Sequence, residues 1–478
     1  MLPLKFFSKI EVMYGYLQSH GIVIFSVFLK IFKLREIEMK TATLLLTSCV
    51  GLALVSQSAF ATNGMISHGY GSIDKALAGT GVAYSQEAMS MALNPAGLVN
   101  VKDSVDFNLA LFAPTRGYHS DGEASPAFSI GPQHMESDNS LFPIPSFALA
   151  KKLNEQTTMG LSLYGSGGMN TQYKGGSATL FNDQGQSMTM PGTFGNGTTG
   201  VNLTQLFVNS SIASKLNEDH SIGLSLLFGF QTFSATGLQN FAGFSLDSDK
   251  LSDNGTDYSY GYGFKIGYQG KLTETLHIGA SYQSKMKMSE FEKYSGLFAN
   301  DGSFDMPATM QIGTAWEMQP DLILFADIQH IAYSDVPAIG NKSENLFDCM
   351  HLAGSQSCLG GSSSTGFGWN DMTVYKIGLQ WDMLTTTWRL GYSYADQPVD
   401  QDELLFNILA PGVVKEHFTA GFSKTLTTDF VLHGAFMYAP ENTVSGNNTL
   451  SGLDGSDSQK ISIYMSQMEI QFGLQWNI

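Results

Sequence analysis

From residue 104 to the C-terminus, apolar side chains alternate with Gly, Ser, Thr, Asn or Gln at a period of two. That period belongs to strands with one apolar face. Met468, Ile470, Phe472, Leu474, Trp476 and Ile478 fall on one face, and Glu469, Gln471, Gly473, Gln475 and Asn477 on the other. Tyr258, Tyr260, Tyr262, Phe264, Ile266 and Tyr268 alternate likewise with Ser259, Gly261, Gly263, Lys265 and Gly267, and Met310, Ile312, Thr314, Trp316 and Met318 form a further face. Each stretch reaches the roughly ten residues that a tilted strand needs to cross a hydrocarbon layer.

Fourteen such stretches begin near residues 104, 146, 158, 203, 220, 258, 276, 308, 322, 372, 387, 415, 429 and 460. Tight turns fall at 153–157, 216–220, 271–275, 318–321, 382–386 and 426–429. Long segments rich in Gly, Ser, Asn and Asp alternate with them, near 114–145, 168–202, 235–257, 289–307, 335–371, 397–414 and 440–459. Short turns on one rim and long loops on the other predict a fourteen-stranded antiparallel transmembrane β-barrel over residues 104–478. Trp316, Trp381, Trp388 and Trp476 all fall on the apolar face beside the short-turn rim, where an interfacial aromatic girdle belongs. A soluble β-sandwich would show strands of about five or six residues and turns every 8–12. Neither is present.

Ahead of the strands, residues 39–61 read MKTATLLLTSCVGLALVSQSAFA. A Lys, an apolar run and the small residues around Phe60 make a secretory signal peptide, with cleavage expected after Ala61. Leu46-Thr47-Ser48-Cys49 resembles a lipoprotein cleavage box, but the apolar run continues past Cys49 to Val55. Residues 1–38 read as an extra leader or a mis-called start, with translation beginning at Met39.

Composition narrows the function. Only 14% of the residues are charged, against about 25% in an ordinary soluble domain. Residues 1–61 hold six basic and three acidic residues, so the remainder has 19 basic against 39 acidic. That balance repels nucleic acid. Beyond the leader no apolar run is long enough for a spanning helix. Cys349 and Cys358 remain in an exported chain, which predicts a disulfide stapling a Gly/Ser-rich loop. A metal site with nearby His351 is the alternative.

Residues 62–103 contain no alternation long enough to span. They read either as a periplasmic tail or as a plug, for which a fourteen-stranded lumen has room. Gly79-Thr80-Gly81-Val82-Ala83-Tyr84 followed by Asn94-Pro95-Ala96-Gly97-Leu98 resembles the N-terminal hatch of the FadL/TodX family of outer-membrane transporters for long-chain fatty acids and hydrocarbons. Two later stretches resemble the family as well. They are Met306-Pro307-Ala308-Thr309 ahead of Gly313, and Arg389-Leu390-Gly391-Tyr392-Ser393-Tyr394 with Asn407-Ile408-Leu409-Ala410-Pro411-Gly412-Val413. One departure is the terminal Ile478, where the family ends in an aromatic.

The resemblance implies an all-β, fourteen-stranded barrel whose lumen is plugged by a hatch over residues 62–103, with Asn94, Pro95 and Ala96 as its motif. It implies passive uptake of fatty acids or other hydrophobic molecules into a bacterial outer membrane, with sideways exit beside a kink in the third strand. Gly165, Gly167 and Gly168 are the glycines expected to make that kink. Neither cofactor nor catalysis is expected, since HExxH, G-x-S-x-G and phosphate-loop patterns are all missing. The expected partners are a hydrophobic small molecule and outer-membrane lipid, without nucleic acid, and the expected state is a monomer. Phe181, Phe194, Phe241 and Phe244 lie in the long loops, where they would line an apolar entry groove. Strand parity points Lys265, Lys285, Lys287, Lys376 and Arg389 into the lumen, and Lys285 with Lys287 is the expected site for a carboxylate head group. A general polar diffusion pore or a structural barrel is the alternative function.

Overall fold

The computed structural model describes residues 62–122, 129–181, 186–448 and 459–478, apart from the side chains of residues 62, 129, 180 and 181. The readings of residues 1–61 as leader, signal peptide and lipid box lie outside the described residues.

Fourteen long strands form the wall: β1 (Ser104–Asp121), β2 (Phe142–Lys152), β3 (Thr157–Tyr173), β4 (Thr199–Lys215), β5 (His220–Thr236), β6 (Asp257–Lys271) and β7 (Leu276–Gln283), then β8 (Thr309–Gln319), β9 (Leu322–Ile331), β10 (Met372–Met383), β11 (Thr386–Ala395), β12 (Glu416–Thr425), β13 (Phe430–Asn447) and β14 (Lys460–Asn477). Each pairs antiparallel with the next. The barrel closes where β14 pairs with β1, from Asn477 opposite Ser104 to Lys460 opposite Asp121. Closure leaves no open edge in the hydrocarbon, where unpaired backbone groups have no water to bind.

β2 begins at Phe142 rather than near 146, and β4 at Thr199 rather than near 203. β1 likewise runs on to Asp121, well into what its polar composition marked as loop. Above the hydrocarbon a strand needs no apolar outer face, so its ladder outlasts its period-two signature.

The wall is apolar outside and polar inside. Ile222, Leu224, Leu226 and Phe228 of β5 and Tyr258, Tyr260, Tyr262 and Phe264 of β6 are exposed, whereas Lys265, Gln311, Asp327, Lys376, Arg389 and Glu469 are buried. Trp316, Trp381 and Trp388 are each about half exposed at the short-turn rim (48%, 48% and 52%). Trp476 stacks on Phe430 there, with ring centroids 6.2 Å apart.

One parity assignment is corrected. Lys285 and Lys287 are exposed, while Met286 and Met288 between and after them are buried. Gln283 faces Lys265 across the ladder, but beyond it Lys287 faces Tyr262 and Met288 faces Gly261, one residue out of step. A one-residue slip turns every later side chain to the other face. Lys285 Nζ instead donates to the backbone oxygen of Asp335 at 2.7 Å, outside the lumen.

Ile377, midway along β10, is 47% exposed on the apolar face. Ile377→Arg should therefore lower unfolding stability in lipid by about 2–4 kcal/mol. Denaturant titration in bilayers checks this; an unchanged midpoint would mean that this face does not meet hydrocarbon.

Candidate functional site

Inside the wall lies the segment 62–103. It holds two short paired strands (Thr62–Asn63 and Ile66–Ser67), a helix (Ser72–Ala76) and two 3-10 turns (Ala88–Ala92 and Pro95–Asn100). Nearly every side chain from Asn63 to Val99 is buried. Its small residues permit that density: at Gly79, with φ +78°, a Cβ would run into the backbone oxygen of His68.

Short irregular elements leave many backbone groups unpaired, and buried ones need partners. The strands supply them. Asp327 Oδ2 accepts from the amides of Gly81 and Val82 at 3.0 and 3.1 Å. Gln311 Nε2 and Lys376 Nζ donate to Gly79 O at 3.0 and 3.1 Å. Asp106 Oδ2 accepts from Met89 N at 3.0 Å, Thr419 Oγ1 donates to Ala76 O at 2.9 Å, and Ser221 Oγ donates to Ala96 O at 3.0 Å. Lys265 Nζ donates to Ala92 O. Lys75 is paired with Glu469 at 2.7 Å, both deeply buried.

Asn94, Pro95 and Ala96 sit at the centre of this packing. Asn94 caps the second 3-10 turn, its Oδ1 accepting from Ala96 N at 3.1 Å, with Pro95 at the first helical position. Its Nδ2 donates to Val82 O at 2.7 Å and to Tyr268 O of β6 at 2.9 Å. Gly267 leaves room for Asn94 and Pro95, which a Cβ there would strike. The motif thus ties three elements together.

On the long-loop side, above this segment, an apolar cavity encloses about 540 Å³ of atom-free space, part of it open to the surroundings. Phe233, Phe241, Phe298, Phe367 and Phe406 line it, and Thr365 carries its one polar side chain among the described residues. Phe194 packs edge-on against Phe241 at 5.2 Å without lining the cavity, and Phe244 packs against the same apolar cluster. The side chain of Phe181 is outside the described residues. Cys349 and Cys358 are joined, with Cα atoms 4.8 Å apart. Leu359, next in the chain, lines the cavity and pairs with Phe244 and Leu246 through its backbone at 2.8 and 3.0 Å.

The ladder between β2 and β3 is interrupted. Pairing of β2 with β3 runs from Lys152–Thr158 to Phe147–Leu163 and stops, although both strands continue. Ser166 is bulged against β4, where Gln205 faces Gly167 and Leu206 faces Gly165. Instead of β2, the inner segment meets β3: Gly168 N donates to Met65 O at 3.2 Å and Ile66 pairs with Gly167. Arg116 of β1 reaches past β2 to Asn170 O at 2.7 Å, fixing the upper edge of the gap. Gly165 and Gly167 flank that bulge, and Gly168 follows it. Sequence reasoning missed the β2 side, where Pro143 and Pro145 have no N–H to give a ladder. The parity that points the cations inward also places the acids Asp106, Asp327 and Glu469 there.

A family sequence model described as outer membrane protein transport protein (OMPP1/FadL/TodX) matches residues 52–478. A Pseudomonas aeruginosa FadL homologue has 12% identity and a TM-score of 0.59, with 87% of this chain and 99% of that chain covered. The P. putida toluene transporter TodX gives 19% identity and a TM-score of 0.57 over 86% of this chain and 99% of that one. The Ralstonia pickettii toluene transporter TbuX gives 18%, 0.56, 86% and 99% in the same order. At these identities the likeness is one of fold. Comparison with the curated proteins found no match.

Two outcomes follow from this geometry. Burial pushes the Asp74 carboxyl up to about 7, against the pull of Lys376 and Arg389 and with a further push from Asp327. Glu87 is raised too, first by burial and then by Asp74 and Asp106. A raised carboxyl keeps a proton when the segment is docked and releases it when exposed. Docking is therefore strongest below the exposed value and weakens as pH climbs through the docked one. Leak conductance in planar bilayers should rise between about pH 5 and pH 8, and Asp74→Asn should flatten that rise. A wild-type leak independent of pH would refute the assignment. Separately, converting both Cys349 and Cys358 to Ser should remove about 2–3 kcal/mol of loop constraint and expose the segment around Leu359 to protease. Mass spectrometry of a non-reduced digest should find the linked peptides; two free thiols would overturn the pairing.

Proposed function

The chain belongs to the outer membrane protein transport family OMPP1/FadL/TodX, and on that footing we propose that it carries small neutral hydrophobic molecules across the outer membrane. The cavity under the long loops carries this reading, because five Phe rings and a single Thr hydroxyl suit an uncharged apolar guest. TodX and TbuX are described as toluene transporters, which supports an aromatic hydrocarbon as cargo. A fatty acid would need a cation for its head group. Lys285 and Lys287 lie outside the lumen, and Lys265 and Lys376 are held by backbone oxygens of the inner segment.

The inner segment acts as the hatch. Its dense latching by strand side chains argues against a general polar pore, whose lumen would be open. Exit is sideways, through the break between β2 and β3, where the wall ladder is missing and the bilayer lies alongside. Transport is passive, needs no cofactor, involves no catalysis and is carried out by a monomer. Residues 39–61 direct export and are removed.

Uptake by cells expressing the protein tests the whole scheme. Labelled toluene uptake should exceed that of cells lacking the barrel and should resist competition by palmitate; effective competition would favour a fatty-acid cargo. Ile144, at the gap, offers the test of the exit. Ile144→Trp should fill the opening and depress toluene uptake while the folded barrel keeps its gel mobility. Full uptake through that variant would move the exit elsewhere.

A further inference from the structure

The break between β2 and β3 is a bubble in the ladder, not a slip. At its lower end Phe147 faces Leu163. At its upper end the chain leading into β2 rejoins β3: Asp138 N donates to Gln172 O at 2.8 Å, and Gln172 N donates to Ser137 Oγ at 3.0 Å. Asp138 stands nine residues before Phe147, and Gln172 stands nine residues after Leu163. The register is therefore the same at both ends and does not itself keep the two edges apart.

Facing backbone edges in hydrocarbon are driven to pair, because their unpaired N–H and C=O groups find no water there. Pro143 and Pro145 withhold donors on the β2 side only, and β3 carries no proline over residues 164–171. A side chain stands between the edges instead. Arg116, buried on the inner face of β1, bonds both of them at the top of the bubble. Its Nη1 donates to Asn139 O at 2.8 Å on the β2 side, and its Nε donates to Asn170 O at 2.7 Å on the β3 side. Nη2 donates to Asn170 Oδ1 at 3.1 Å, and Nη1 also donates to Pro114 O at 3.3 Å. In the shared register Asn139 would lie opposite Thr171, next to Asn170. The guanidinium thus sits where the rung below Asp138 and Gln172 would form. It is planar and rigid, and it lies over the ring of Phe142, 5.5 Å from the centroid.

We infer that Arg116 is a positioning residue for transport, a wedge that keeps β2 and β3 from zipping shut. Its part in transport rests on the sideways exit proposed above. All four of its partners are amide oxygens, and they use four of the five guanidinium N–H groups. Arg116 is therefore committed to spacing the backbone rather than to holding a cargo's head group.

Hydrogen–deuterium exchange on the barrel in phosphatidylcholine vesicles tests this. Arg116→Met removes the donors and keeps an unbranched side chain. Peptides covering 139–146 and 164–171 should then exchange more slowly than in the wild type, because new β2–β3 hydrogen bonds form. Mere loss of packing has the opposite sign and speeds exchange. Arg116→Gln, too short to span both carbonyl groups, should slow exchange in the same peptides and serves where the Met variant fails to assemble. Unchanged or faster exchange at the bubble, in a variant with normal heat-modifiable gel mobility, would overturn the wedge. Labelled toluene uptake by either variant should fall toward that of cells lacking the barrel. Slower exchange with undiminished uptake would leave the wedge standing and refute the exit.

Discussion

In hydrocarbon, a backbone N–H or C=O without a partner costs several kcal/mol, and nearly every feature of this molecule answers to that constraint. It demands closure, which β14 and β1 provide over their full lengths. It also makes the break between β2 and β3 expensive unless the freed groups are removed or satisfied. Both remedies are present. Pro143 and Pro145 have no donors to leave orphaned, and Gly168 N is taken up by Met65 O. The opening and the inner segment are therefore coupled: the first residues of that segment complete the edge that the wall leaves unfinished.

The same constraint explains the polar lumen. Polar inward faces ordinarily suggest a water-filled channel. Here several of their charged and polar groups are spent on the backbone of residues 62–103. Asp327 takes two amides, Lys376 and Gln311 share one carbonyl, and Asp106 takes another amide. Glycine-rich chain with almost no regular structure can be buried only where someone else supplies its hydrogen bonds. The barrel supplies them side chain by side chain, and so the segment docks in a single register.

This division of labour governs what was legible in the sequence. Strand number, order and rim assignment followed from period two, because a lipid-facing strand cannot avoid an apolar outer face. Above the hydrocarbon that demand lapses, which is why the starts of β2 and β4 and the extension of β1 went unread. Parity failed at one point, after Gln283, where a one-residue slip turned Lys285 and Lys287 outward. Periodicity cannot report a slip without neighbouring strands to measure it against. The glycines of β3 were visible as a weak stretch. The prolines of β2 were overlooked, although a Pro in a wall strand is as strong a sign of missing pairing as Gly. That Lys75 meets Glu469 depends on a contact between distant parts of the chain, and no local pattern encodes that.

On the proposed path, the energetics favour leaving sideways over leaving downward. Each 100 Å² of apolar surface moved from a greasy cavity into a polar environment costs about 2.5 kcal/mol. Below the Phe-lined cavity lies the latched segment, whose buried polar groups have little to offer an apolar guest in exchange. The wall break opens instead toward hydrocarbon, where the guest's surface stays out of water.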